Sequence, residues 1–384
     1  MIYFLSPTCF LKRLEFPSVY DTVKDELFEL DETGFEFLMG CAGREGCDGG
    51  GCEEEFLVYA LQEGILTIER GFTGRPPVKR APEPSLRYLE LQVTRRCNLR
   101  CGHCYLGPAK NIDLGPERIK DTFTEFEEMQ GLRLLITGGE PLLHPNFWEI
   151  NDLLKGRAFR RLLFTNGTML TGDVAGRLNI DEIQVSLDGL EKGHELLRGR
   201  GTFRMAMEAI DIARNAGIDV SVATMVHPEN VGDFDELEQL FKRLGIRDWI
   251  VDIPCAEGNL TENRIFQISP EAGGEYLRYG FGEGLHGGGE GFACGLHLAS
   301  VSAEGKVARC AFYSEVPVGS IDEGLAVCWD RIEPLRIDDL VCDCEVKDLC
   351  RGGCRRRAEI LGDKRGKDLY RCRAFDRGAT LNIS

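Results

Sequence analysis

From Leu86 to about Pro254, short apolar runs alternate with longer amphipathic stretches. Tyr88–Thr94, Leu132–Thr137, Arg160–Thr165, Asp181–Leu187, Ile218–Val226 and Arg247–Ile253 have the length and composition of strands. Between them, Glu117–Met129, Phe203–Ala216 and Asp233–Leu244 carry apolar residues at helical spacing. Six such units predict an α/β fold with a parallel sheet, since each strand returns to the same direction through a crossover. Whether the sheet is open or a partial barrel, ligands belong at the C-terminal ends of its strands.

The flanking segments read differently. Residues 1–84 form a small module: strand-like residues from Val19 to Leu30, then a helix start at Asp31-Glu32-Thr33 before Phe35, Phe37, Leu38 and Met39. A second helix over Glu53–Glu63 puts Phe56, Leu57, Ala60 and Leu61 on one face, Gly64 caps it, and Ile65–Ile68 reads as a closing strand. The stretch Gly71–Pro84 holds four prolines and reads as a linker. Residues 266–384 lack the strand–helix alternation. A glycine-rich run, Gly280 to Gly295, reads there as a flexible connector, and closely spaced cysteines suggest that metal ligation supplies folding energy. The expected division is 1–84, 85–265 and 266–384.

Composition narrows the classes. The 384 residues include 43% apolar and 28% charged positions, enough for a large core and unlike a disordered chain. With 46 Lys and Arg against 63 Asp and Glu, the net charge of −17 disfavours nucleic acid and anionic membranes as partners. No apolar run approaches the roughly 18 residues of a membrane span, and Met1–Leu5 has no basic export signature, so a cytoplasmic protein is expected. In a reducing compartment, 16 cysteines point to metal or iron–sulfur ligation rather than disulfides. They cluster: four precede residue 53, three lie at 97–104, one at 255 and eight between 294 and 372.

The segment Cys97-Asn98-Leu99-Arg100-Cys101-Gly102-His103-Cys104-Tyr105 begins just after the first strand of the βα region. Three thiolates on one loop can hold three irons of a cubane and leave the fourth open to an exogenous ligand. The competing reading is a zinc knot completed by His103. The loop resembles the signature of the radical S-adenosylmethionine (radical SAM) superfamily, Cys-x3-Cys-x2-Cys followed by an aromatic. The likeness continues at later strand ends: Gly138-Gly139-Glu140-Pro141, Thr165-Asn166-Gly167, Ser186-Leu187-Asp188-Gly189, and Arg198-Gly199-Arg200-Gly201-Thr202-Phe203. It implies a partial, TIM-like (β/α)6 barrel in which Cys97, Cys101 and Cys104 hold a 4Fe–4S cluster. Tyr105, Gly138, Gly139, Glu140, Pro141, Asn166, Ser186, Asp188 and Arg198 would then bind S-adenosylmethionine; Arg198 and Arg200 both remain candidates for its carboxylate. The implied chemistry is reductive cleavage to a 5′-deoxyadenosyl radical, fed by a flavodoxin or ferredoxin.

The tail cysteines, Cys294, Cys310, Cys342, Cys344, Cys350, Cys354 and Cys372, resemble the SPASM extension of that superfamily, which carries two auxiliary 4Fe–4S clusters. One gap is a residue short, because Val341 stands where a cysteine is expected. By position, the resemblance gives Cys294, Cys310 and Cys354 to one cluster and Cys342, Cys344, Cys350 and Cys372 to the other. Cys255 and Cys328 are candidates for the missing ligand, and Cys255 is also a candidate catalytic thiol. Structural zinc is the competing reading of the tail. Arg351, Arg355, Arg356 and Arg357 would offset cluster charge or meet an acidic electron donor.

Residues 1–84 loosely resemble the winged-helix peptide-recognition domain of peptide-modifying radical SAM enzymes, which adds a leader peptide as an edge strand. Gly43–Gly51 departs from it, because a third helix is expected there; Cys9, Cys41, Cys47 and Cys52 read as ordinary or redox-labile thiols. The combined resemblance implies a maturase that cross-links or oxidises a ribosomally made precursor peptide. Tetrapyrrole or other cofactor biosynthesis is the first alternative. A non-catalytic, metal-bound peptide-binding module is the second.

Overall fold

The computed structural model describes residues 1–50, 52–71, 74–282, 289 and 291–375. In chain order the strands are β1 (Phe4–Leu5), β2 (Cys9–Arg13), β3 (Pro17–Asp21), β4 (Glu26–Glu29), β5 (Leu66–Thr67), β6 (Tyr88–Thr94), β7 (Arg133–Gly138), β8 (Arg160–Thr165), β9 (Glu182–Ser186), β10 (Asp219–Met225), β11 (Trp249–Asp252), β12 (Leu298–Val301), β13 (Lys306–Ala308) and β14 (Gly319–Ser320). Strands β6 to β11 lie side by side in sequence order, all parallel, as the βα pattern requires. Alternation along β6 shows how the sheet is used. Leu89, Leu91 and Val93 are fully buried and belong to one core with Phe123 and Phe126 of the helix Pro116–Glu128, while Glu90 points to the opposite face, into a cavity.

Part of the tail extends this sheet. Strand β12 pairs parallel with β6, and β13 and β14 add antiparallel beyond it. Leu325, Trp329 and Ile332 join the same core as Leu89, and the Trp329 indole donates to Pro84 O at 2.8 Å. Ordinary apolar burial therefore builds the first part of the tail. The remainder, to residue 375, has only short helices: Lys347–Cys350, Arg355–Ile360 and Leu369–Phe375. Of the glycine run, residues 283–288 and 290 lie outside the described residues.

The N-terminal residues have their own core around Leu5, Val19, Phe35, Leu38 and Ala60. Both helices form where expected, Glu32–Cys41 with Asp31 as N-cap and Glu54–Gln62 ending before Gly64. The single run expected from Val19 to Leu30 is instead the hairpin β3–β4. Asp21 Oδ1 accepts from the N–H groups of Val23 and Lys24, and Asp25 takes φ +67°, so an Asx turn closes the hairpin without glycine or proline. Strands β1 and β2 were not anticipated. No helix occupies the described residues of 43–51.

This module docks beneath the sheet. Lys12 Nζ donates to Gly131 O (2.8 Å) and Ala158 O (2.7 Å), and buried Asp25 meets Arg133 (2.8 Å) and Arg160 (3.3 Å). These partners sit at or just before the starts of β7 and β8, the end of the sheet opposite the cysteine loop.

Candidate functional site

The loop after β6 is clamped from three sides. Thr94 donates to Asp113 (2.6 Å), which also pairs with Arg96 (2.9 Å). Asn259 Nδ2 donates to Cys101 O (3.0 Å), and Asn263 Nδ2 to Gly102 O (3.2 Å). Gly258 lies so close to the carbonyls of Cys104 and Tyr105 that a Cβ there would collide with them. Asn259 and Asn263 were missed by sequence reasoning, because a lone asparagine beyond the last barrel strand carries no motif. So clamped, Cys97, Cys101 and Cys104 face a cavity of about 1190 Å³. Burial raises all three thiols, that of Cys101 to about 11, while the nearby Arg198 guanidinium opposes the rise.

The other strand ends converge on the same cavity. Gly138 and Gly139 line it, and a Cβ on Gly138 would stand 2.7 Å from Thr94 O, so only glycine lets β7 end against the cysteine loop. Asn166 and Ser186 also line it, and Asn166 Nδ2 points at Cys97 Sγ (4.0 Å). Of the two arginine candidates, Arg198 reaches the cavity, with its Nη1 3.8 Å from Cys101 Sγ, while Arg200 is exposed. Tyr105 lines the wall and packs on Phe312 with ring centroids 5.1 Å apart.

Glu140, Pro141 and Asp188 do not line the cavity, contrary to expectation. Glu140 is fully buried and accepts from Thr165 Oγ1 (2.9 Å) and Asn166 N (2.9 Å), tying the end of β7 to that of β8. Pro141 opens the 3-10 turn Pro141–Leu143 behind it. Asp188, also fully buried, pairs with Arg198 (2.5 Å) and accepts from Met225 N (2.7 Å). Burial raises the Asp188 carboxyl, but Arg198 and neighbouring histidines outweigh that and hold it well below the usual range. It therefore positions Arg198. His194 Nδ1 accepts from Asp188 N at 3.1 Å, a structural role.

Cys294, Cys310 and Cys354 line the same cavity, and buried Cys255, three residues beyond β11, is within electrostatic reach of Cys354. Cys328 is instead sealed in the barrel core with its thiol on Ser320 O (3.3 Å). Cys342 lies within electrostatic reach of Cys344 and Cys350, and Cys372 within reach of Cys342 and Cys350. All sixteen cysteines are free thiols. Among the described residues, no three Cys, His, Asp or Glu side chains converge on a single-ion site.

The arginine quartet is largely spent inside the fold. Arg351 donates to Phe292 O (2.9 Å), Arg355 to Gly366 O (2.9 Å), and Arg356 pairs with Glu257. Arg357 bridges Asp252 and Asp368 beside Cys354. These groups brace the second half of the cavity wall and do not form an open docking face.

Glu90 was also missed, since a glutamate inside a strand reads as a surface position. It lines the cavity, and burial alone raises its carboxyl from 4.5 to about 7. The folded state then holds an extra proton between those values, so stability falls as pH climbs from about 4.5 to 7. Glu90→Gln is expected to flatten that dependence, by about 1–3 kcal/mol across the window, in melts at pH 5 and pH 8.

Comparison with known proteins accords with this geometry. Residues 91–241 match the radical SAM superfamily, so the chain carries a radical SAM domain. The mycofactocin maturase MftC of Mycolicibacterium smegmatis is 33% identical over 186 residues, 45% of this chain and 47% of the relative. The AdoMet-dependent heme synthase of Oleidesulfovibrio alaskensis is 24% identical over 71% of this chain and 84% of its own length. Streptococcus suis SuiB bound to precursor peptide SuiA shares the fold over 96% of this chain and 99% of its own, at TM-score 0.63 and 13% identity. Native anSMEcpe with bound AdoMet and Kp18Cys peptide does so over 75% of this chain and 94% of its own, at TM-score 0.61 and 18% identity. The chain spans about half the length of the curated MftC relatives it matches. Among the described residues, no helix is long and apolar enough to cross a membrane.

Proposed function

We propose that the chain is a radical SAM peptide maturase that cross-links or oxidises a ribosomally made precursor peptide. One observation carries the reading: a single cavity is faced by Cys97, Cys101 and Cys104 and also by Cys294, Cys310 and Cys354. The first three would hold a 4Fe–4S cluster with one iron open. Cys255, Cys294, Cys310 and Cys354 would hold one auxiliary 4Fe–4S cluster, and Cys342, Cys344, Cys350 and Cys372 another. When bound, the first cluster with S-adenosylmethionine supplies a 5′-deoxyadenosyl radical able to take hydrogen from an unactivated carbon.

The chain's own residues do the positioning. Gly138 and Gly139 offer backbone carbonyls, Asn166 and Ser186 offer hydrogen bonds, and Arg198, held by Asp188, offers a guanidinium to the S-adenosylmethionine carboxylate. The apolar wall of Leu135, Phe164 and Phe312 excludes water from the reacting carbon. An acidic flavodoxin or ferredoxin would dock at exposed Lys364, Arg365 and Lys367, since Lys367 acts electrostatically on Cys342 and Cys372.

Residues 1–84 would take the leader. Strand β4 is an edge of the sheet β2-β3-β4, and its Phe28 meets Tyr59 edge-on at 6.4 Å, with Val58 and Tyr59 each about half exposed. A leader added to that edge satisfies free backbone groups and covers both side chains. Tyr59→Ala is expected to weaken leader binding about tenfold, measured by anisotropy of a labelled leader, with the melting temperature unchanged. Because the module lies below the sheet and the cavity above it, the precursor needs a spacer of roughly seven or more extended residues.

The likeness to heme synthase supports a second reading, tetrapyrrole chemistry. Mass spectrometry of candidate precursor peptides co-expressed anaerobically with the protein separates the two. A loss of about 2 Da per site, corresponding to two hydrogens, supports the maturase. An unchanged, non-epimerised peptide from a protein that still cleaves S-adenosylmethionine sinks it. A third, non-catalytic reading predicts no such cleavage.

A further inference from the structure

Three thiols lie at the connection between the helices Glu32–Cys41 and Glu54–Gln62, and the reading above leaves them unused. Cys41 ends the first helix and is 1% exposed, whereas Cys47 and Cys52 are half-buried. Two devices bring Cys47 back onto the helix end. Tyr3 N donates to Cys47 O (2.7 Å) and Cys47 N to Tyr3 O (3.0 Å), which folds the loop toward β1. Gly40 clears the space, for a Cβ there would collide with Cys47 Sγ. Cys47 Sγ lies 3.9 Å from Phe37 O and packs against the core cluster that holds buried Cys41. Cys9 stands apart, with its thiol on Gly64 O at 3.9 Å.

We propose that Cys41 and Cys47 are a disulfide-forming pair, a modification site whose co-reactant is a small-molecule disulfide such as oxidised glutathione. The thiolate of half-exposed Cys47 attacks one sulfur of that disulfide, breaking its S–S bond and releasing one glutathione thiolate. Cys41, in the same core cluster, loses its proton and attacks the Cys47 sulfur, releasing the second glutathione. Two protein thiols are oxidised and one glutathione disulfide is reduced to two thiols. Burial raises the Cys41 thiol above its usual value, which keeps it inert until the mixed disulfide stands beside it. The bond would fasten the end of the helix Glu32–Cys41 to the segment paired with Tyr3, next to the helix that carries Tyr59. Only that consequence for leader capture rests on the reading above; the disulfide itself does not.

The chain supplies a direct test, because Arg44 lies between the two thiols. Anaerobically purified holoenzyme is incubated with oxidised glutathione, alkylated with N-ethylmaleimide and digested with trypsin without reduction. The expected product is peptide 25–44 joined to peptide 45–70, lost in Cys47→Ser and retained in Cys52→Ser. Alkylated Cys41 and Cys47 in the treated wild-type protein would overturn the proposal, as would glutathione stalled on Cys47. So would a joined peptide that survives Cys47→Ser, or zinc retained by the wild-type protein and released in that variant.

Discussion

Cys101→Ala is expected to reduce 5′-deoxyadenosine formation from S-adenosylmethionine to the background of protein-free controls. Cys328→Ala should leave it within about twofold. Both cysteines are buried, and only their surroundings distinguish them. Cys101 is held through its carbonyl by Asn259, faces the cavity and lies 3.8 Å from Arg198. Cys328 fills space in the barrel core and bonds Ser320 O. Removing one of three thiols from a set with no spare takes away a cluster corner, so iron and sulfide content should fall by about one cluster as well. Wild-type deoxyadenosine yield from Cys101→Ala would sink the assignment of this loop. Retained iron without cleavage would mean that another group replaces the thiol without restoring the open site.

Much of this site was legible because its chemistry is carried by short segments at strand ends. The strands predicted from periodicity agree with β6 to β11 within about two residues, since their apolar positions, continuous or alternating, stand out between the amphipathic helices. Strand ends then placed Gly138, Asn166 and Ser186 around the cysteine loop. What the sequence could not tell was which way a side chain faces. Glu140 and Asp188 stand in motif positions yet turn inward as braces, because each has buried donors waiting: Thr165 and Asn166 for one, Arg198 and Met225 for the other.

The missed features share a different cause. Strand β12 is four residues long and pairs with β6 across more than two hundred residues of chain, so no local pattern announces it. The arginines near the last cysteines look like a charged surface in one dimension. In three dimensions their partners are carbonyls and carboxylates from distant segments, such as Asp252 and Glu257. Cys255 is similar: its companionship with Cys354 depends on the tail folding back to the end of β11.

The same long-range logic makes Asp25 the residue whose loss should cost most stability. Asp25 sits in the β3–β4 turn with a side chain 3% exposed, accepting from Arg133 (2.8 Å) and Tyr20 (2.5 Å) and pairing with Arg160 at 3.3 Å and Arg247 at 3.7 Å. Arg160 also reaches Glu182 (2.9 Å) and Asp219 (2.6 Å) and donates to the carbonyls of Thr22 and Val23, so the network stitches the module to the starts of four barrel strands. Asparagine keeps the shape and tolerates the left-handed backbone at φ +67°, so Asp25→Asn isolates the charge. Removing one partner from a buried ionic network leaves guanidinium groups desolvated and under-compensated, at a cost of about 3–5 kcal/mol. The expected result is a melting temperature lowered by several degrees, with faster amide exchange at residues 9–29 than at β6 to β11. Arg13→Ala, which breaks the exposed, solvent-screened pair with Glu32, should leave the melting temperature close to that of the wild type. If Asp25→Asn melts like the wild type, apolar contacts rather than this network hold the module to the barrel.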